Sequence, residues 1–128
     1  MADSPGYSIT YDNKIKAVVC VWKGYSNSWE FREGTEKYLS LLVQKKVSKM
    51  LVDLKEMILI GKEDQDWMDR SYLPKAVEEG LKAVAVVQPD YYFNKVAVES
   101  ILFKLNMRPV QVNYFKTFEE AKEWLSMF

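Results

Sequence analysis

Histidine is missing from this chain of 128 residues. Its absence removes the commonest general base, the Ser–His and Cys–His nucleophile pairs and every imidazole metal ligand. Cysteine occurs once, as Cys20, so an intramolecular disulfide is excluded, and one Cys without His cannot hold a structural zinc ion. Cys20 lies in the apolar run Ala17-Val18-Val19-Cys20-Val21-Trp22, where it reads as a small buried hydrophobe with no basic neighbour to activate it. The five glycines never fall into a phosphate-cradling GxGxxG or GxxxxGK[ST] arrangement. Net charge is also lacking: eighteen Lys and Arg balance eighteen Asp and Glu, and no Lys/Arg run marks a nucleic-acid or anionic-lipid surface. No window approaches the roughly 18 apolar residues of a membrane span. The start, Met1-Ala2-Asp3-Ser4-Pro5-Gly6, lacks the basic and apolar stretches of a secretion signal, so a cytoplasmic location is expected.

What is present suits one domain. The chain is 48% hydrophobic and 14% aromatic, enough apolar surface to offset chain entropy. At this length a fold buries roughly two-thirds of the surface that the unfolded chain exposes.

Residues 1–6 read as a disordered tail and 7–128 as the domain. An alternating, β-rich stretch at 7–11, a turn at Asp12-Asn13 and an apolar run at 15–22 predict an opening hairpin. Gly24 ends that strand, and Ser26 or Ser28 is placed to cap a helix reaching about residue 44. Phe31, Thr35, Tyr38, Leu39 and Leu42 form its apolar stripe; Gly34 inside it marks close packing. A short strand is expected at 49–53, then a connection at 54–61 and a helix at 62–71. Pro74 interrupts or restarts helix, and Gly80 ends it. Residues 83–87, apolar throughout, read as a strand covered on both faces. Asp90 is placed to cap a helix to about 106, with Phe93, Val96, Ala97, Ile101 and Leu105 along one face. A last strand at 110–115 precedes a capping box, Thr117-Phe118-Glu119-Glu120, and a terminal helix that turns Phe118, Ala121, Trp124 and Leu125 inward. The order β-β-α-β-α-β-α-β-α predicts an α/β fold: a mostly parallel five-stranded sheet with helices packed on it and right-handed crossovers.

Several short stretches carry a resemblance. They are Trp22-Lys23-Gly24, Leu51-Val52-Asp53-Leu54, Gly61-Lys62-Glu63-Asp64 with Trp67, Gly80 before the 83–87 strand, and residues 121–125 ending in Trp-Leu. Together they resemble the SpoIIAA-like group of uncharacterised bacterial proteins, placed near STAS and CRAL-TRIO domains. The resemblance implies the STAS fold and a regulatory domain that binds a protein partner rather than a catalyst. It also implies, in sigma-regulating members, a phosphorylated Ser after the third strand, where phosphate adds charge at a helix N-terminus. Here that stretch is Leu59-Ile60-Gly61-Lys62-Glu63-Asp64-Gln65-Asp66, without Ser or Thr. Its acidic residues could only mimic a permanently phosphorylated state, so no phosphorylation site is assigned.

Three groups of residues remain to be weighed. The carboxylates Glu63, Asp64, Asp66 and Asp69 read as an acidic first turn complementing a helix dipole, so no metal or other cofactor is expected. Asp53 ends a strand, as a receiver's phosphoacceptor does. The acidic pair and hydroxyl of a receiver are missing, since the matching strand ends carry Trp22-Lys23 and Gln88. The aromatics Tyr25, Trp29, Trp67, Tyr72 and Tyr91-Tyr92-Phe93 lie in or beside segments that follow strands. Such segments gather at one end of an open α/β sheet, so residues 23–29, 54–67 and 88–93 should share a face. On that face Gly61, Glu63, Asp64, Trp67, Tyr91 and Tyr92 are the candidate binding residues. The expected occupant is a protein partner, with a second copy of the chain as one form; the alternative is a small apolar ligand or lipid, as in CRAL-TRIO domains. Nothing in the sequence assembles an acid, a base and an oxyanion donor for catalysis.

Overall fold

The computed structural model describes residues 6–128. A hairpin, β1 (Tyr7–Asp12) and β2 (Ala17–Gly24), opens the chain. Then follow α1 (Ser28–Lys45), β3 (Lys49–Met57), α2 (Lys62–Trp67), a π-helical turn (Met68–Tyr72) and α3 (Leu73–Glu78). The order ends β4 (Ala83–Val87), α4 (Tyr92–Asn106), β5 (Gln111–Phe115) and α5 (Phe118–Ser126). The sheet order is β1-β2-β3-β4-β5, antiparallel between β1 and β2 and parallel from there on. The predicted α/β architecture is therefore found. Its order excludes the receiver alternative, whose sheet runs 2-1-3-4-5. Asp53 instead accepts the Lys55 N–H at 3.1 Å, in a local turn of its own strand.

Side chains alternate across the strands and divide the core in two. Val18, Cys20, Trp22, Met50, Leu54, Val84 and Val86 face one side, where they pack under α1, α3 and α4. Ala17, Val19, Leu51, Ala83, Ala85 and Val87 face the other, closed by Ala121 and Leu125 of α5. Crossovers of one hand that step along the sheet in one direction put the connecting helices on one face. Only the helix after β5 is free to cover the other.

The stripe on α1 is buried as predicted, and Gly34 sits where a Cβ would come within 2.7 Å of Trp22. The Thr117 hydroxyl accepts the Glu120 N–H at 3.2 Å, so the predicted cap forms, but it donates to the Glu120 carboxylate at 3.0 Å, so the box is closed side chain to side chain and not on the Thr117 N–H. In α5, Ala121 and Leu125 are buried and Phe118 and Trp124 half-buried.

Other boundaries differ. Of the tail, residues 1–5 lie outside the described residues, and the Gly6 carbonyl accepts the Lys23 N–H at 2.7 Å. Asn27, not Ser26 or Ser28, caps α1 by accepting the Glu30 N–H at 2.8 Å. The third strand runs on past Asp53 to Met57. Beyond a register shift, Lys23 and Gly24 pair with Glu56 and Met57, where β4 no longer reaches. The helix expected at 62–71 breaks into α2 and a π turn, in which the Leu73 N–H bonds the Met68 carbonyl. Pro74 follows at once: it has no N–H for the Arg70 carbonyl, and its ring crowds that group, so the turn widens. Asp90 does not cap α4; its backbone N–H donates to the Lys55 carbonyl at 3.0 Å. The buried face of α4 is Asn94, Ala97, Val98, Ile101 and Leu105, which leaves Phe93 and Val96 outside.

Candidate interaction surface

Strands β2, β3 and β4 are neighbours, so the segments after them emerge side by side, and backbone hydrogen bonds tie them together. The Ile58 N–H donates to the Gly24 carbonyl at 3.0 Å, joining the first segment to the second. Asp90 donates to Lys55, and Asn94 takes the Ile60 N–H at 2.9 Å and gives to the Met57 carbonyl at 3.2 Å, joining the second to the third. The predicted gathering of these loops is thus present.

Large apolar side chains stand outward along this end: Tyr25, Trp29, Ile58, Leu59, Tyr91, Tyr92 and Phe93. Tyr25, Trp29, Tyr92 and Phe93 are 69%, 70%, 71% and 76% exposed. At the area an aromatic side chain presents, the five rings alone offer roughly 700 Å². A monomer's largest apolar patch is typically about 300–600 Å², and one partner of a standard interface covers about 800 Å². Charges rim the patch: Lys23 pairs with Glu56 at 3.8 Å and Lys62 with Asp66 at 2.9 Å. An apolar centre with a charged rim is the anatomy of a docking surface.

The expected site residues divide. Tyr91 and Tyr92 lie on the patch, the latter with its ring 5.5 Å from that of Phe93. Gly61 is exposed at the start of α2 with an ordinary φ of −65°; a Cβ there would meet nothing, so the backbone does not require glycine. Glu63 is exposed beside it. Asp64, by contrast, is turned inward and only 5% exposed: it accepts the Ser28 hydroxyl at 3.0 Å and the Arg32 Nε–H at 3.1 Å. It fastens α2 to α1 and cannot present a phosphate-like charge to a partner. Trp67 is half-buried between Phe31 and Tyr72, at 6.4 Å and 5.6 Å, with the Arg32 guanidinium 5.2 Å from its ring centre. The remaining carboxylates are taken locally, Asp66 by Lys62 and Asp69 by Lys104 and Arg108. Among the described residues no three carboxylate or thiol groups converge as a metal site would need. Tyr25, Trp29, Ile58, Leu59 and Phe93 are the members of the patch outside the six candidate binding residues, the three rings among them being read from the sequence only as aromatics of that face. Their signal was apolar letters in or beside loops, which the core could equally have claimed.

Buried groups show no activated nucleophile. Burial pushes the Cys20 thiol far above its ordinary range, and likewise the Tyr38 and Tyr72 hydroxyls. Beneath the helices lies an apolar cavity of about 60 Å³, bordered by Trp22, Phe31, Met68, Leu102 and other core side chains. That is under half of the roughly 150 Å³ that admits benzene, and leaves no room for an acyl chain. No helix among the described residues is long and apolar enough to cross a membrane.

A sheet of this order, with one antiparallel edge, α1, α3 and α4 on one face and α5 on the other, is the SpoIIAA-like class of α/β fold. The chain is similar to an uncharacterised protein of the DUF3478 family with a SpoIIAA-like fold from Shewanella loihica, with TM-score 0.67, 18% identity and 98% of each chain covered. It is similar also to an anti-sigma factor antagonist from Mycobacterium paratuberculosis, with TM-score 0.59, 12% identity and again 98% of each chain covered. No protein-family model and no curated protein matches the chain by sequence.

Proposed function

We propose that the domain is a regulatory, non-enzymatic binding module of the cytoplasm that docks a protein partner on the apolar end of its sheet. The observation that carries this reading is the set of seven exposed apolar side chains on three loops locked together by backbone hydrogen bonds. An anti-sigma factor antagonist uses the same fold, which supports a protein as partner. Regulation runs through docking and not through phosphate at the start of α2, where no hydroxyl is available. The apolar-ligand alternative has only the small core cavity to rest on.

The test is a Trp29→Ala/Tyr92→Ala double variant, measured by affinity capture with mass spectrometry and by light scattering. Partners captured by the wild type and lost from an equally stable variant support the reading. A wild-type dimer that the variant turns into monomer identifies the partner as a second copy. A variant that captures and associates as the wild type does defeats the reading.

A further inference from the structure

At the opposite end of the sheet, where the parallel strands begin, a groove of about 760 Å³ opens between the end of α1, the β1–β2 turn, the turn at Gly80 and Phe128. Lys16, Lys45, Lys46, Lys49 and Lys82 line it, with Glu79 and the terminal carboxylate of Phe128 as the acidic groups there. Eight other cations of the chain lie within 4 Å of a carboxylate. Of these five only Lys49 does, at the terminal carboxylate of Phe128; Lys16, Lys45, Lys46 and Lys82 meet none among the described residues. Lys49 is buried, its ammonium donating to the Leu125 carbonyl at 2.9 Å and to the terminal carboxylate of Phe128 at 3.1 Å. Lys45 stands 5.1 Å from the centre of the Tyr11 ring. The chain as a whole is neutral, so this excess is local.

Backbone conformation adds a second, independent observation. Lys16 and Lys46, with φ of 57° and 55°, are the only non-glycine residues with positive φ among those described. Gly or Asn holds that conformation with less strain, so lysine is conformationally the poorer choice at both places. Both line the same groove. The ends of α1, α3 and α5 converge here, and lysines offset the negative ends of helices. That accounts for Lys45, but not for the other two. The Leu42 and Val43 carbonyls in the last turn of α1 are already taken by the Lys46 and Val47 N–H groups, and Lys16 belongs to no helix.

We infer that this groove is a second binding site, for a small soluble anion bearing more than one phosphate. Its volume falls in the range of small-molecule pockets, about 300–1,000 Å³. Clustered ammonium groups without carboxylate partners are the chemistry that polyphosphate requires. The site is independent of the apolar surface and stands or falls without it.

The experiment is calorimetric titration with tripolyphosphate at ~50 mM salt, where screening is weak. Phosphatidylglycerol vesicles form a second arm. The main variant is Lys16→Asn/Lys46→Gly, which relaxes the backbone while removing both charges. Tripolyphosphate should bind the wild type, and the variant should bind about tenfold or more weakly, with a melting temperature equal to or above the wild type's. Lys23→Gln/Lys95→Gln, two exposed lysines elsewhere, should leave affinity unchanged. If the main variant does not fold, Lys45→Gln/Lys82→Gln serves, with the same loss expected. No heat with tripolyphosphate, an equal loss in the elsewhere-lysine control, or binding to vesicles alone would each overturn the inference.

Discussion

Asn94 holds Ile60 across the loop end of the sheet. Its Oδ1 accepts the Ile60 N–H at 2.9 Å, while its Nδ2 donates to the Met57 carbonyl at 3.2 Å. The side chain is fully buried, so neither backbone group has water as a substitute. From α4 it thus fixes both ends of the segment that pushes Ile58 and Leu59 outward.

Asn94→Leu should cost about 2–4 kcal/mol, since it strands a buried donor and a buried acceptor. Asn94→Asp keeps the acceptor for Ile60 but buries a carboxylate against the Met57 carbonyl, so it should cost at least as much at neutral pH and less in acid, where the protonated group can donate. Urea denaturation measures both, and amide exchange at residues 58–61 should quicken first in the Leu variant. An unchanged urea midpoint for Asn94→Leu would show that these bonds do not order the segment.

The same residue marks how far the sequence was legible. Apolar spacing alone grouped Phe93 and Val96 with Ala97, Ile101 and Leu105 on one face of α4, and gave no reason to put Asn94 inside. Burial of a polar group is decided by its partners, and these lie in another segment, invisible along the chain. The element order was legible because it rests on local signals: the apolar 83–87 run, the stripe on α1, the Thr117 cap. The end of β3 was not, because Lys55 and Glu56 look like loop and become strand only through pairing with β2. The gathering of three loops followed from topology. Which side chains face out did not: Asp64 and Trp67 turn inward to Ser28, Arg32, Phe31 and Tyr72, contacts 32 to 36 residues apart for the polar pairs.

Gly34→Ala tests the closest helix-to-sheet approach. Helix propensity alone favours alanine by about 1 kcal/mol. The new methyl, however, would sit 2.7 Å from Trp22 Cη2 and 3.1 Å from two atoms of the Tyr7 ring. Trp22 is almost wholly buried and has little room to yield. A net loss of about 1–3 kcal/mol is expected from overpacking. A gain in stability on thermal or urea denaturation would mean that the rings move aside freely.

Trp67 and Tyr92 should separate structural from binding roles. Trp67→Ala removes a ring packed on Phe31 and Tyr72 and should cost about 2–3 kcal/mol, less than a fully buried Trp. Tyr92→Ala removes a ring that is 71% exposed and should stay within about 0.5 kcal/mol of the wild type. Partner capture should fall for Tyr92→Ala at unchanged stability. Equal destabilisation by the two variants would contradict the orientation of both rings.

Alkaline pH should destabilise the fold. Burial raises the pKa of Cys20, Tyr38 and Tyr72 in the native state. The unfolded chain releases these protons near their ordinary values, about 8.5 for Cys and 10 for Tyr, while the native state keeps them. Below pH ~8.5 both states hold every one of these protons, and stability is independent of the three groups. Above it, Cys20 alone removes about 1.4 kcal/mol per pH unit, and above pH ~10 the two tyrosines add their share. Lys49 acts in the opposite sense, since burial lowers its pKa and the native state gives up that proton first. This offsets one group until the unfolded lysine titrates near pH ~10.4. Urea midpoints should therefore change little while Lys49 offsets Cys20, then fall steeply above pH ~10, where the tyrosines join and the lysine's offset ends. Cys20→Ala should lower stability near pH ~7 but, with the thiol's loss removed, its midpoint should hold or rise between pH ~8.5 and ~10 and approach or pass the wild type's. A Cys20→Ala profile that runs parallel to the wild type's from pH ~8 to ~10 would mean that the thiol titrates alike in both states, against its complete burial beneath α1.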